Sequence, residues 1–280
     1  MGHLYVVATP IGNLQDISQR AIRCLNEVDL IAAEDTRHSA VLLNAYGIKT
    51  KTTAFHDHNE QAKVAELIDY LQQGHSIALI SDAGTPLVSD PGYHLVSAAH
   101  AAGVDVVPVP GACAAIAALS ASGLPSDKFR FAGFLPKKTQ ARKTYLQQYT
   151  HATETLIFYE SPHRILASMA DMQQVFGGDR PASMARELTK KFETIDHGSL
   201  DQLVNLLQKN PGQQKGEFVV LIGAAAQLPR GLDQEAEAVL RILLDELSIN
   251  QAAALAARIT GVKKNTLYKA ALSLQQQDSD

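Results

Sequence analysis

Residues 80–92 read Ile80-Ser81-Asp82-Ala83-Gly84-Thr85-Pro86-Leu87-Val88-Ser89-Asp90-Pro91-Gly92, and their reading decides the fold. They follow Gly74-His75-Ser76-Ile77-Ala78-Leu79, a short apolar stretch with a glycine entry. Continuous apolar character over so few residues predicts a buried parallel strand. The loop after it holds the carboxylates Asp82 and Asp90, the glycines Gly84 and Gly92, and the prolines Pro86 and Pro91. Small residues let another molecule approach the backbone, and prolines fix the loop shape in advance. In open α/β sheets, ligands bind just beyond the carboxyl ends of strands. This loop is therefore the expected site.

The same grammar recurs twice. Leu4-Tyr5-Val6-Val7-Ala8 runs into Thr9-Pro10-Ile11-Gly12-Asn13-Leu14, and Val104 to Val109 runs into Pro110-Gly111-Ala112-Cys113-Ala114. A lone Pro-Gly is an ordinary turn. Three such loops at strand ends, one with an embedded Asp-Ala-Gly-Thr-Pro, point to a binding edge.

Outward from these loops, strands are predicted at 4–8, 28–33, 50–55, 77–81 and 104–109, with helices at 17–26, 38–45, 59–73, 91–102 and 112–121. That alternation favours a mainly parallel sheet flanked by helices. Ser122 to Asp127 reads as a linker rich in turn formers. A second unit follows, with strands at 129–134, 154–159, 181–187, 192–199 and 216–223 and helices at 139–150, 163–174 and 200–208. Past Leu228-Pro229-Arg230-Gly231, helical patterns at 233–247, 250–259 and 264–274 enclose the turn Thr260-Gly261-Val262. The last pair resembles a helix-turn-helix, with Lys264 or Asn265 at the reading position, and equally fits a helical hairpin that only packs. The expected division is 1–122, 123–228 and 229–280, ending in a polar tail.

The 280 residues suffice for two cores. No apolar run nears the ~20 residues of a membrane span, and the N-terminus has no signal-peptide pattern. Cys24 and Cys113 do not make a disulfide framework, so the cytosol is the expected compartment. A net charge of -4 argues against nucleic-acid binding by bulk electrostatics but leaves local basic patches. These are Lys137, Lys138, Arg142 and Lys143, then Lys190-Lys191, and Lys263 with Lys264. His56-Asp57-His58 invites a metal reading, yet further ligands at suitable spacing are not evident, so no metal is expected.

The segments Ala8-Thr9-Pro10-Ile11-Gly12-Asn13-Leu14, Ala33-Glu34-Asp35-Thr36-Arg37, the 80–92 loop and Pro110-Gly111-Ala112-Cys113-Ala114 occur in order. Phe158-Tyr159-Glu160-Ser161-Pro162-His163-Arg164, Ala185-Arg186-Glu187-Leu188-Thr189-Lys190 and Lys215-Gly216-Glu217-Phe218-Val219 follow them. From residue 4 to about 223 the chain resembles the tetrapyrrole-methylase superfamily of S-adenosylmethionine (SAM) methyltransferases. Within it, the chain closely resembles the ribosomal RNA small subunit methyltransferase I family. Ala112-Cys113 departs from the Pro-Ser of many relatives, which bears on one hydroxyl contact. The Rossmann fingerprint G-x-G-x-x-G is missing, in keeping with the resemblance.

The resemblance implies two α/β domains with a SAM cleft between them, a C-terminal helical extension, and a homodimer. It also implies 2′-O-methylation of a cytidine ribose in 16S rRNA at the decoding centre, with the small ribosomal subunit as partner. Runner-up readings are a porphyrin, corrin-precursor or diphthine methyltransferase, and a non-catalytic nucleic-acid-binding module. SAM is expected to contact Pro10, Asp82, Ala83, Gly84, Thr85, Val88, Ala112 and Cys113, with Tyr159, Met184 and Ala185 offering apolar surface. A 2′-hydroxyl is a weak nucleophile, so a base or charge stabiliser is expected. The candidates are Glu34, Asp35, Arg37, Glu160, Glu187 and Lys190; each carboxylate alone also fits a helix cap or an arginine partner. The basic residues at 137–143 and 263–264 are the expected phosphate contacts.

Overall fold

The computed structural model describes residues 2–56, 60–225 and 234–277. The chain forms two compact units, Met1–Ala225 and Ala226–Asp280.

The first unit begins with β1 (His3–Val7), α1 (Gln19–Glu27), β2 (Leu30–Ala33), α2 (Thr36–Ala45), β3 (Thr52–Ala54), α3 (Glu60–Gln72), β4 (Ile77–Ile80), α4 (Tyr93–Ala101), β5 (Asp105–Val109) and α5 (Ala114–Ala121). The strands form one parallel sheet in the order β3-β2-β4-β1-β5. All four residues of β4 are buried, as its apolar run predicts. Side chains alternate between faces along a strand. Ala78 and Ile80 therefore join Leu25 and Leu43 of α1 and α2, while Ile77 and Leu79 join Leu67 and Leu95 of α3 and α4. Strand order reverses around β1 and β4, which makes their carboxyl ends the ligand-binding crevice of such sheets.

A second sheet follows: β6 (Phe129–Phe134), α6 (Thr139–Gln147), β7 (Thr155–Glu160), α7 (Ile165–Phe176), β8 (Pro181–Arg186), β9 (Thr194–Ser199), α8 (Leu200–Lys209) and β10 (Phe218–Ile222). Its order is β6-β7-β10-β8-β9, with only β6 and β7 parallel. On one face Phe158, Met184 and Val220 pack against α6, α7 and α8. On the other, Ile157, Ala185, Val219 and Leu221 pack against Ala115, Ala118 and Leu119 of α5. Helix α5 thus leaves the first sheet and covers the second.

The second unit holds α9 (Gln234–Glu246), α10 (Ile249–Thr260) and α11 (Lys264–Gln277). Ser248 and Gln251 make a capping box that starts α10, and Gly261 ends it at φ 69, a left-handed position that glycine adopts without cost. Leu240, Ala253, Ala256, Val262 and Leu267 form its core. Among the described residues, no helix is long and apolar enough to cross a membrane.

Candidate functional site

The loops after β1 and β4 are bridged antiparallel. The Thr9 amide donates to the Gly84 carbonyl at 2.8 Å, and the Gly84 amide donates back at 3.1 Å. Gly84 holds φ 92, and a Cβ there would lie 3.3 Å from Ile11 Cγ2. Thr85 Oγ1 donates to the Ala112 carbonyl at 3.1 Å, joining this loop to the one after β5. Leu87 and Ser89 hold φ 72 and 69, and Glu187 and Thr189 hold 50 and 66. Left-handed backbone at non-glycine residues is held only where the surroundings fix it, and it clusters at ligand sites.

These loops and the α5 side of the second sheet enclose a cavity of about 400 Å³. That is a usual size for a ligand pocket. Ala83, Gly84, Thr85, Val88, Cys113, Tyr159 and Ala185, all expected at the site, line it. Ile11, Ser89, Asp90, Phe134, Ser161, Leu188, Glu217 and Val219 also line it and were missed by sequence reasoning as contacts. Asp90 was legible as a loop carboxylate; the others come from long-range packing. Among the described lining residues there is no lysine, arginine or histidine, whereas Asp90, Glu160 and Glu217 are acidic.

Other expectations are placed elsewhere. Met184 is fully buried in the helix-side core, because strand parity puts it on the face opposite Ala185. Ala112 acts through its carbonyl on Thr85. Pro10 and Asp82 line a second pocket of about 220 Å³, with Gly12, His38, Val41 and Lys190. Ile11, Ala83 and Glu217 belong to both spaces.

The six catalytic candidates fall into three groups. Glu160 has a fully buried side chain and is saturated: it pairs with Arg164 Nη2 at 2.6 Å and accepts from Ser161 N at 2.7 Å and Ser168 Oγ at 2.6 Å. It is structural. Asp35 caps α2 and takes three donors of Arg37: N at 2.8 Å, Nε at 3.1 Å and Nη2 at 2.8 Å. Those bonds hold its carboxyl well below the usual range and raise Arg37. Glu34 Oε2 accepts from the Asp82 amide at 3.3 Å, and Asp82 Oδ1 accepts from the Asp35 amide at 3.1 Å. These bonds tie the ends of β2 and β4 together.

The third group faces the second pocket. Lys190 Nζ lies 2.9 Å from Glu187 Oε1 and 2.8 Å from Glu217 Oε2. Burial alone lowers the ammonium, but the bonds to Glu217 and Glu187 outweigh it and the net shift is upward. Burial likewise raises Glu187, and the Glu217 amide with the Lys190 ammonium reverse that to a net lowering. Lys190 therefore stays charged. Its stem passes where a Cβ on Gly12 would lie 2.5 Å from Lys190 Cγ.

Of the basic residues, Lys137, Lys138, Lys263 and Lys264 are exposed. Arg142 is not a phosphate contact: it is buried, and its guanidinium meets Asp171 at 2.6 Å and the Pro136 and Lys137 carbonyls at 3.4 and 3.3 Å. Lys143 is occupied by Gln174 at 2.6 Å and Asp171 at 3.5 Å. Among the described residues no group of three or more His, Cys, Asp or Glu could hold a metal; Asp57 and His58 lie outside them.

A family model described as Tetrapyrrole (Corrin/Porphyrin) Methylases matches residues 3–204, and one described as RsmI C-terminal HTH domain matches residues 230–275. A Pseudomonas aeruginosa protein named Ribosomal RNA small subunit methyltransferase I is 57% identical over 277 residues, with 98% of each chain covered. A diphthine synthase structure superposes at TM-score 0.62 and 14% identity, over 80% of this chain and 90% of that one. A uroporphyrin-III C-methyltransferase from Thermus thermophilus, solved with S-adenosyl homocysteine, gives TM-score 0.52 at 18% identity, over 81% and 100%.

Proposed function

The chain belongs to the ribosomal RNA small subunit methyltransferase I family of the tetrapyrrole methylases, and from that membership we propose how its site works. It is a SAM-dependent methyltransferase acting on small-subunit rRNA. The finer reading is transfer to the 2′-hydroxyl of a cytidine ribose at the decoding centre, by a homodimer in the cytosol. The resemblance of the sequence motifs supports that finer reading.

One observation carries the assignment of the large cavity to SAM: it pairs apolar walls with carboxylates and has no basic lining residue among those described. Phosphate-bearing cofactors want cations or a helix N-terminus at the phosphate. A sulfonium with an apolar base wants the reverse, and SAM is such a molecule. Tyr159, Leu188 and Val219 offer surface for the adenine, the Gly84 loop approaches with bare backbone, and Asp90 favours the cationic end. When bound, SAM supplies an activated methyl. Ile11, Val88 and Ala83 line the cavity and would keep water from the bound group, and a dry wall favours a step that neutralises charge. Lys190, held protonated, faces the acceptor side and stabilises negative charge growing on the acceptor oxygen.

The test is transfer of labelled methyl from SAM to small subunits from a strain lacking the enzyme, with mass-spectrometric mapping of the product. A 2′-O-methylcytidine supports the reading; a methyl on a base sinks the 2′-O assignment. Light scattering checks the dimer: a single species at the 30.2 kDa chain mass overturns it.

A further inference from the structure

We propose that His38 takes the proton from the acceptor hydroxyl, with Asp82 as its positioning residue; this rests on the ribose-methylation reading above. His38 is the third residue of α2 and lines the second pocket, which shares Ile11 and Ala83 with the SAM cavity. The two spaces are therefore parted by the side chains they share. Asp82 is held from three directions. Its amide donates to Glu34, its Oδ1 accepts from the Asp35 amide, and its Oδ2 faces His38 Nδ1 at 3.8 Å. The carboxylate faces one ring nitrogen, and Nε2 has no hydrogen-bond partner among the described residues, on a side chain that is 65% exposed at the pocket's edge. Catalytic contacts of this kind are often long before substrate binds and tighten in the complex.

The competing groups are disqualified by their own partners. Lys190 keeps its proton between Glu187 and Glu217. Glu160 is sealed by Arg164, and Asp35 is held by Arg37 and by its role as the cap of α2. The charged groups around His38 are Asp82 and Glu34 from the strand ends, Asp35 and Arg37 on its own helix, and Lys190 with Glu217 on the pocket's far wall. In the step, the 2′-oxygen bonds to the methyl carbon and the carbon–sulfur bond breaks. Its electron pair goes to sulfur, which leaves as a neutral thioether, and the hydroxyl proton passes to Nε2. Lys190 stabilises the oxygen meanwhile and donates nothing.

The experiment compares full-length wild type, His38→Ala, His38→Gln and Asp82→Asn on small subunits lacking the modification, from pH 5.5 to 9. Both His38 variants are expected to lose at least ~100-fold in kcat, the scale of general-base catalysis, with SAM affinity unchanged by calorimetry. Added imidazole restores part of the rate of His38→Ala and none of His38→Gln. The limb of the kcat profile set by imidazole protonation disappears in both, and Asp82→Asn lowers kcat while sparing KM. Near wild-type kcat in His38→Ala, or a loss with that limb intact and no imidazole rescue, overturns the proposal and leaves the methylation reading standing. A wild-type product methylated elsewhere than ribose brings down the reading itself, and the proton acceptor with it.

Discussion

The Tyr159 hydroxyl on β7 accepts a hydrogen bond from the Ala115 amide in the first turn of α5, at 3.1 Å. Cys113, at the N-cap of α5, makes no side-chain cap. A phenol from the second sheet thus supplies the acceptor that serine or aspartate ordinarily gives. Burial, reinforced by Cys113, pushes that phenol well above the ordinary tyrosine value, so it stays neutral. Tyr159→Phe leaves the buried Ala115 amide without its acceptor. The expected cost is about 1 kcal/mol, read as a fall in melting temperature of ~2–4 °C for a unit of this size. The ring remains, so SAM affinity should fall less than in Tyr159→Ala. An unchanged melting temperature would show that the bond contributes nothing.

Gly84→Val should abolish measurable SAM binding. The added Cβ lies 3.3 Å from Ile11 Cγ2 and 3.8 Å from the Ala112 carbonyl, so a branched side chain crowds residues that line the cavity. The left-handed φ adds strain of roughly 1–2 kcal/mol, which the fold survives. Calorimetry on the folded variant decides; wild-type affinity means the cavity is not the SAM site.

The basic segment separates into two roles. Arg142→Ala leaves the buried Asp171 carboxylate with Lys143 at 3.5 Å as its remaining cation and should destabilise by about 2–3 kcal/mol. The double change Lys137→Ala/Lys138→Ala should leave the denaturation midpoint alone. It should weaken binding to the small subunit and flatten its salt dependence, because exposed lysines act by counterion release. An unchanged salt slope removes them from the RNA interface.

Lys190→Met should lower stability by about 1–2 kcal/mol near neutral pH, since it deletes charged hydrogen bonds to Glu187 and Glu217. The pH dependence follows from opposite shifts. Glu187 is lowered, so its share is present above the ordinary carboxylate value of 4.5 and fades as pH falls through its folded value. Lys190 is raised, so its share is present below the ordinary 10.5 and fades as pH rises through its folded value. Urea titrations of both proteins should therefore differ most between these limits and converge outside them. A constant difference at pH 3 would refute the pairing.

What was legible in the sequence was what is local. The apolar run of β4 and its Pro/Gly loop mark strand and site together, because both signals sit in adjacent residues. Asp35 at the start of α2 is readable as a cap for the same reason. Met184 and Ala185 were not separable, since a register shift of one residue exchanges the two faces of a strand. Arg142 sits among lysines in sequence, and only Asp171, 29 positions away, reveals its burial. Phe134, Ser161 and Val219 reach the cavity through the pairing of β6, β7 and β10, which periodicity does not specify. His38 lacks a motif of its own, and its meaning comes from Asp82 on another strand.

Ile11 and Ala83 are walls of two rooms at once, so the two spaces are coupled through the same side chains. A change at either residue disturbs both rooms together. Leu14 and Val41 touch only the second pocket, and both are exposed. A substitution at that outer rim therefore reshapes one space and leaves the lining of the other as it was.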